Sequence, residues 1–247
     1  MENSFLKDAI NRIVELATPF TLETRGGHQF CYADLVEVKP EVELPARYSV
    51  DTLEALVKLI RTEGVDQAPL LYVRVDSARR VVVDSTYMVR DYALYNRLPL
   101  YEAVSDVPSI SVNQSMSQEK AVVELQSLYA VTEDRDYLLA LLSRIDVNQG
   151  VSSVDNGISQ EVSVRTGAVL KEQQTVQPIV HLQPYRTFLE VEQPASDFLL
   201  RLDKEGHPAL YEADGGAWKL ESKRNIAAYL SEQLADLVER GSVVVMI

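Results

Sequence analysis

Cysteine, histidine and long hydrophobic runs are scarce in this chain of 247 residues, which has one cysteine and three histidines. The single cysteine, Cys31, rules out an intramolecular disulfide and fits a reducing compartment. The longest apolar stretches, such as 138–142 and 243–247, fall far short of the roughly 20 residues that cross a bilayer. Residues 1–7 lack the basic, apolar and small-residue regions of a signal peptide. We therefore expect a cytoplasmic protein that does not associate with membranes.

Positive charge and phosphate-binding glycine loops are also in short supply. The chain has 24 Lys and Arg against 37 Asp and Glu, a net charge of −13. Clustered Lys and Arg bind nucleic-acid phosphates, and here they are scattered, which disfavours direct DNA binding. Imitation of DNA is the alternative, although the acids are dispersed as on an ordinary surface. Gly26-Gly27 and Gly215-Gly216 lack the context of a P-loop or Rossmann fingerprint, which disfavours nucleotide-driven motors and dehydrogenases.

The spacing of apolar residues predicts an α+β protein. Its helices lie in the N-terminal half, and an antiparallel β meander in the C-terminal half is followed by a C-terminal helix and a short terminal strand. Asp51 and Glu54 have the spacing of a capping box at the start of the second helix. Helices are predicted at 4–17, 51–64, 117–129, 134–145 and 221–240. Strands are predicted as a hairpin within 69–87 and at 161–165, 176–182, 188–191, 198–202, 209–211 and 243–247.

The domain organisation has two alternatives. Residues 148–157 are small and polar, so they form a loop or linker. They separate a mixed α/β region at 1–147 from a region at 158–247 that combines antiparallel strands with the C-terminal helix. A single domain that carries this stretch as a long surface connection is equally consistent with the length.

Three stretches of the C-terminal half carry a resemblance to a known family: 155–160 (DNGISQ), 182–194 (LQPYRTFLEVEQP) and 211–221 (YEADGGAWKLE). They resemble the signatures of the YfdQ-like proteins, a phage and prophage family of unknown function, and the resemblance extends more loosely over most of the chain. It implies a phage or prophage origin, an early or accessory role, and the cytoplasm of a bacterial host. It implies no catalytic residues.

One group of polar residues in this half is a candidate binding site. Side chains at i and i+2 of a strand share a face. We therefore expect the carboxylates of Glu190 and Glu192 to lie together, and likewise those of Glu212 and Asp214. The predicted arrangement places three of the residues on one strand, one on the next, and three around the double glycine. In that order they are Arg186, Glu190 and Glu192; Arg201; and Glu212, Asp214 and Trp218.

These residues admit two interpretations. Paired carboxylates are able to hold Mg²⁺, which would suit a metal-dependent phosphoester hydrolase. Alternatively the strands have a wet face with Arg–Glu cross-strand pairs, Gly215-Gly216 forms a tight hairpin turn, and Trp218 covers a core. The metal, if any, is left unknown, and we predict no catalytic residue and no cofactor. His28 and Cys31 have ligand spacing, but a zinc site needs about four ligands.

Tyrosines gather in one segment, at positions 87, 92, 95 and 101. Such clusters are common at interfaces and also in ordinary cores. Together with the amphipathic first helix and the β-branched tail, they favour a homo-oligomer. The sequence thus predicts a non-enzymatic accessory protein that binds a host or phage protein or a small anionic ligand. The alternatives are the hydrolase and a self-assembling shell or ring.

Overall fold

The structure is a computed structural model that describes residues 2–17, 22–25, 28–31, 36–37, 46–67, 70–88, 95–145, 154–155, 160–166, 170–203 and 205–247. The described helices are α1 (Glu2–Ala17), α2 (Leu53–Leu59), α3 (Val65–Gln67), α4 (Gln118–Leu128), α5 (Glu133–Arg144), α6 (Ala217–Gln233) and α7 (Ala235–Glu239), with a π-helical turn (Ile60–Gly64) between α2 and α3. The described strands are β1 (Leu22–Arg25), β2 (His28–Cys31), β3 (Val36–Glu37), β4 (Tyr48–Val50), β5 (Leu71–Ser77), β6 (Arg80–Met88), β7 (Tyr95–Val104), β8 (Val154–Asp155), β9 (Gln160–Thr166), β10 (Leu170–Val176), β11 (Ile179–Leu182), β12 (Ser196–Leu202), β13 (Pro208–Glu212) and β14 (Val243–Met246).

The chain packs as two compact units. The first consists of Met1–Pro45 and Thr86–Leu98, and the second of Ala46–Ser85 and Pro99–Ile247. In the first unit, β1, β2 and β3 form an antiparallel sheet. The α-helix of this unit is α1, and its described side chains, residues 6–13, are all exposed.

A five-stranded sheet in the order β14-β5-β6-β7-β4 organises the second unit. Strands β5 and β6 form the predicted hairpin, with Val73 opposite Val83. Alternate residues of β5 are fully buried, because α6 packs on β5 and β14 and α2 packs on α6. At the edge, β14 runs parallel to β5, with Val243 opposite Leu71. The terminal strand therefore pairs within its own chain.

A smaller antiparallel sheet, β11-β12-β13, completes the second unit together with α4 and α5. Each of the two helices has a polar N-cap. Ser117 accepts a hydrogen bond from the Lys120 amide, and Thr132 accepts one from the Arg135 amide. The Gln118 side chain, at the start of α4, donates to the carbonyl of Leu142, near the end of α5. The helices therefore lie antiparallel, as predicted, over a shared apolar core.

The predicted α+β class is confirmed, with three corrections in detail. Residues 188–191, predicted as a strand, form a turn. The C-terminal helix begins earlier, at Ala217, and is interrupted at Leu234. At the start of α2, Thr52 rather than Asp51 is the N-cap. Its hydroxyl accepts from the Ala55 amide, so the predicted capping box does not form.

Some predictions fall largely outside the described residues. Of the predicted linker at 148–157, only Val154 and Asp155 are described, and the division into two domains stays a prediction. In the tyrosine group, position 92 is outside the description, and Tyr101 is a core residue at 4% exposure. Among the described residues, no helix has both the length and the apolarity that a membrane crossing requires.

Candidate functional site

The segment between β11 and β12, residues 183–195, is an irregular loop that we call the connecting loop. It contains most of the stretch 182–194 that resembles the YfdQ-like proteins. The Gln193 side chain stabilises it from within: Oε1 accepts from the amides of Arg186 (3.0 Å) and Thr187 (3.2 Å), while Nε2 donates to the carbonyls of Phe188 (2.9 Å) and Val191 (3.2 Å). Because one buried amide satisfies these backbone groups, the loop needs no strand partner.

Hydrogen bonds fix the connecting loop to the elements around it. Its amide at Tyr185 donates to the last residue of α4 (2.9 Å). The Thr187 hydroxyl donates to the carbonyl of Ala78 in the β5–β6 turn. On the far side, the Asn225 side chain of α6 donates to the carbonyl of Glu192 (2.9 Å). The loop is thus held on three sides.

Arg186 is a residue of the connecting loop and is only 2% exposed. Its Nη1 donates to Glu212 (3.2 Å) and its Nη2 to the hydroxyl of Ser196. The guanidinium carbon lies 3.9 Å from the ring centroid of Trp218 and 5.9 Å from that of Phe198, which adds cation–π attraction. We call this group the Arg186 cluster. Burial leaves no surface at which a solute anion meets the guanidinium.

Burial lowers the pKa of Arg186 to about 10, an effect that the negative charges of Glu212 and Asp214 oppose. The guanidinium therefore remains protonated at neutral pH. Partial burial would raise the pKa of Asp214, but hydrogen bonds from the Gly216 amide, the Ser196 hydroxyl and the Trp218 amide hold it below its usual value. Asp214 thus serves as an ionised acceptor at the start of α6.

The structure brings four of the seven predicted site residues together and separates three. Arg186, Glu212 and Trp218 belong to the Arg186 cluster, and Asp214 joins it by accepting a hydrogen bond from the Ser196 hydroxyl at 2.8 Å. Glu190 and Glu192 do not share a strand with Arg186, because residues 188–191 form a turn. Arg201 lies on β12 among the partly exposed positions, which alternate with the buried positions Ser196, Phe198 and Leu200. The predicted pairing of Glu190 with Glu192 is therefore wrong.

The double glycine also has a different role from the predicted hairpin. Gly215 and Gly216 have φ values of 64° and 82°, a region that glycine adopts without steric cost. They turn the chain from β13 into α6, and Asp214 accepts from the amides of Gly216 (2.9 Å) and Trp218 (3.2 Å). The carboxylate at 214 is thus a helix-initiating acceptor.

On the other side of the connecting loop lies a cleft of about 340 Å³, which we call the acidic cleft. It is bounded by the start of α2, the segment that follows β7, and the turn of the loop. Four of its lining residues are carboxylates, two carry hydroxyls and three are apolar. They are Asp51, Glu54, Asp106 and Glu190; Thr52 and Ser105; and Val107, Phe188 and Leu189.

Glu190 has a structural bond as well as a place in the acidic cleft. Its Oε1 accepts from the backbone amide of Leu53, the first residue of α2, at 2.7 Å. With the Thr52 cap, this bond satisfies two amides at the positive end of the helix. A carboxylate thus already occupies the site at which an anionic ligand would bind.

The electrostatic field around the cleft is negative, and it affects Tyr229 of α6. Burial and the negative charges of Glu190 and Glu54 raise the pKa of this phenol. The described residues that line the cleft include no Lys, Arg or His. A second cavity, lined mainly by the apolar core around Leu125 and Leu200, measures about 10 Å³, about enough for one water molecule.

The described residues contain no group of three His, Cys, Asp or Glu side chains arranged to hold a metal ion. His28 and Cys31 are the first and last residues of β2. A scan of protein-family models and searches of curated proteins and of solved structures find nothing that matches this chain. The YfdQ-like resemblance stays a prediction.

Little in the sequence indicates the acidic cleft. Asp51 and Glu54 have the spacing of a helix cap, and Ser105 and Asp106 fall in a stretch that reads as a connector. The one available signal was the pair of Gln-Pro steps at Gln183 and Gln193, which mark the two ends of the connecting loop.

Proposed function

We propose that this protein is a non-enzymatic binding protein that acts as a homo-oligomer and takes up its partner in the acidic cleft. The observation that carries the proposal is the cleft itself. It has the volume of a small ligand site, its wall is a loop held rigidly from behind, and its carboxylates face open space. A phage or prophage accessory role in a bacterial cytoplasm is part of the proposal and rests on the sequence resemblance alone.

The paired carboxylates that suggested a phosphoester hydrolase are not arranged as that alternative requires. Mg²⁺ is held by carboxylates that converge on one point. Glu212 instead bonds to Arg186, and Asp214 bonds to the turn before α6. Of the predicted pair on the other strand, Glu190 caps α2 while the carbonyl of Glu192 binds Asn225. These groups support the fold, so we favour binding over catalysis.

Of the two ligand classes predicted from the sequence, a protein partner is the better supported. A small anion needs an accessible cation or unpaired amides. Arg186 is buried against Glu212, and the acidic cleft carries four carboxylates. A partner protein that presents positive charge fits this surface, because opposite charges steer association and fix its orientation.

Self-association is supported by α1. Leu6, Ile10 and Ile13 follow one another at intervals of four and three residues, the spacing of one helix face. They are 63%, 52% and 64% exposed. We propose that a second copy of the chain covers this face.

The experiment is native mass spectrometry of the protein purified from its host, scored for subunit number and for bound protein. We expect an oligomer that retains a partner. Ile10→Lys should convert it to a monomer, whereas Asn11→Lys, which adds the same charge beside the apolar face, should leave it intact. A bare monomer from the unmodified chain would overturn the proposal, and a particle of many subunits would favour the shell or ring.

A further inference from the structure

The acidic cleft differs from other carboxylate sites of the second unit, because the described residues that line it include no cation. Elsewhere, Asp84 pairs with Arg47 and Glu102 with Arg80. In the cleft, the structure shows no hydrogen bond or ion pair from the side chains of Asp51, Glu54 or Asp106 to any residue that it describes. Carboxylates close to one another repel, and a cation between them relieves that repulsion.

A second feature that points to a ligand is Ser105. This cleft-lining residue is 9% exposed, and its hydroxyl has no hydrogen-bond partner among the residues that the structure describes. Buried polar groups in proteins are almost always paired. A ligand that brings an N–H group into the cleft would supply the missing partner, since a serine hydroxyl accepts as well as donates.

The cleft suits an organic cation better than a metal ion. A divalent metal requires several oxygens that converge at about 2.0–2.6 Å, and the described residues offer no group of three such ligands. The volume of about 340 Å³ exceeds what a bare ion fills, and Val107 and Leu189 give the cleft an apolar wall. An alkyl chain packs on such a wall while its charged end reaches the carboxylates.

Among organic cations, the geometry favours an ammonium over a guanidinium. A guanidinium gains by stacking on an aromatic face. Among the described lining residues, the only aromatic one is Phe188, which is 1% exposed and offers no such face. An ammonium is a compact charge with three donors, and it binds a carboxylate without an aromatic face.

We infer that the acidic cleft binds a protonated primary amine carried on an alkyl chain, as in the lysine side chain of a partner protein. A free diamine presents the same chemistry and is the other source of such a group. The inference rests on the proposed binding function and names the chemistry that the cleft recognises.

The test is isothermal titration calorimetry of the full chain with three probes: an acetylated, amidated tripeptide with a central lysine, the same peptide with arginine, and 1,5-diaminopentane. We expect the lysine peptide to bind more tightly than the arginine peptide, and its affinity to fall as salt is added. Tighter binding of the peptide identifies a protein as the source, whereas tighter binding of the diamine identifies a free amine.

Three variants locate the binding. Glu54→Gln with Asp106→Asn should weaken lysine-peptide binding by about tenfold, as expected when two nearby charges are neutralised. Ser105→Ala should weaken it by about threefold, because one hydrogen bond is lost. Glu119→Gln, which removes an exposed charge of α4 outside the lining, should have no effect. Circular dichroism confirms that each variant is folded.

The outcomes separate this inference from the proposed function. If the amines bind the double variant as well as they bind the unmodified chain, or if MgCl₂ binds the cleft in their place, the amine inference is wrong. If no amine binds but a co-purified partner is lost in the double variant, the cleft is a binding site of other chemistry. If neither amine nor partner binds, both proposals fail.

Discussion

Arg186 and Glu190 lie four residues apart on the connecting loop, yet they face opposite environments. On one side, the guanidinium is buried against Trp218, Glu212 and Ser196. On the other, the acidic cleft presents carboxylates that have no internal cation. Both sides are rich in charge, but the charges of the Arg186 cluster are paired within the fold, whereas Asp51, Glu54 and Asp106 in the cleft have no hydrogen bond or ion pair to a described residue. Pairing and exposure distinguish the two roles.

The largest effect is expected from breaking the Arg186 cluster. Arg186→Met leaves Glu212 and Ser196 without their cation, and removal of one partner from a buried ion pair costs about 3–5 kcal/mol. Urea unfolding at neutral pH measures the loss. Arg201→Met makes the same chemical change on a half-exposed position of β12 and should cost less than about 1 kcal/mol. Equal losses would contradict a special role for Arg186.

Removal of the internal support of the loop should have the next largest effect. Gln193→Ala deletes an amide that makes four hydrogen bonds to the loop backbone. We expect about 2–3 kcal/mol of destabilisation, since buried groups are left unpaired, and weaker amine binding as the cleft wall loosens. Gln183→Ala, which deletes a single bond to the carbonyl of Gln193, should cost about 1 kcal/mol. Unaltered amine binding in Gln193→Ala would show that the connecting loop keeps its conformation at the cleft without this amide.

A smaller, pH-dependent effect is expected at Asp214. The pKa of this group is lower in the folded than in the unfolded chain, because three hydrogen bonds outweigh burial. Its contribution is therefore complete above about pH 4, the unfolded value, and is lost as the pH falls through the folded value. Asp214→Asn should cost about 1 kcal/mol at neutral pH.

The acid limb of a stability–pH curve measured by urea unfolding provides the check, and it should be flatter in Asp214→Asn. Asp203 also has a lowered pKa, because hydrogen bonds from the amides of His207 and Glu205 and from the Ser115 hydroxyl outweigh burial, so some slope should remain. Ser196→Ala removes one of the three donors to Asp214 and should flatten the limb less. An acid limb unchanged by Asp214→Asn would contradict this origin of the slope.

The smallest change in stability is expected in the acidic cleft. Glu54→Gln with Asp106→Asn should alter the free energy of unfolding by less than about 0.5 kcal/mol, as for exposed groups without partners, while amine binding falls. Glu190→Ala should reduce the free energy of unfolding by an intermediate amount, about 1 kcal/mol. It removes a cleft charge and also the acceptor of the hydrogen bond from the Leu53 amide. A large loss of stability in the double variant would show that these carboxylates stabilise the fold, as the charges of the Arg186 cluster do.

Features that depend on three or four neighbouring residues were predictable from the sequence. Ser117 and Thr132 cap their helices because a cap bonds to an amide three residues ahead. The hairpin of β5 and β6 follows from short apolar runs on either side of a polar turn. The alternation at 188–191 misled, because Gln193 satisfies the backbone there from a position outside the pattern.

The α+β class, most of the elements and the acidic character of the protein follow from its sequence, because periodicity, capping and composition are local properties. Which charges meet depends on the folded structure. Arg186 joins Glu212 and Trp218, while Glu54, Asp106 and Glu190 come together from three distant parts of the chain. The reason is that pairing and burial depend on packing between elements, and a spacing along one strand or helix does not specify which other element will cover it.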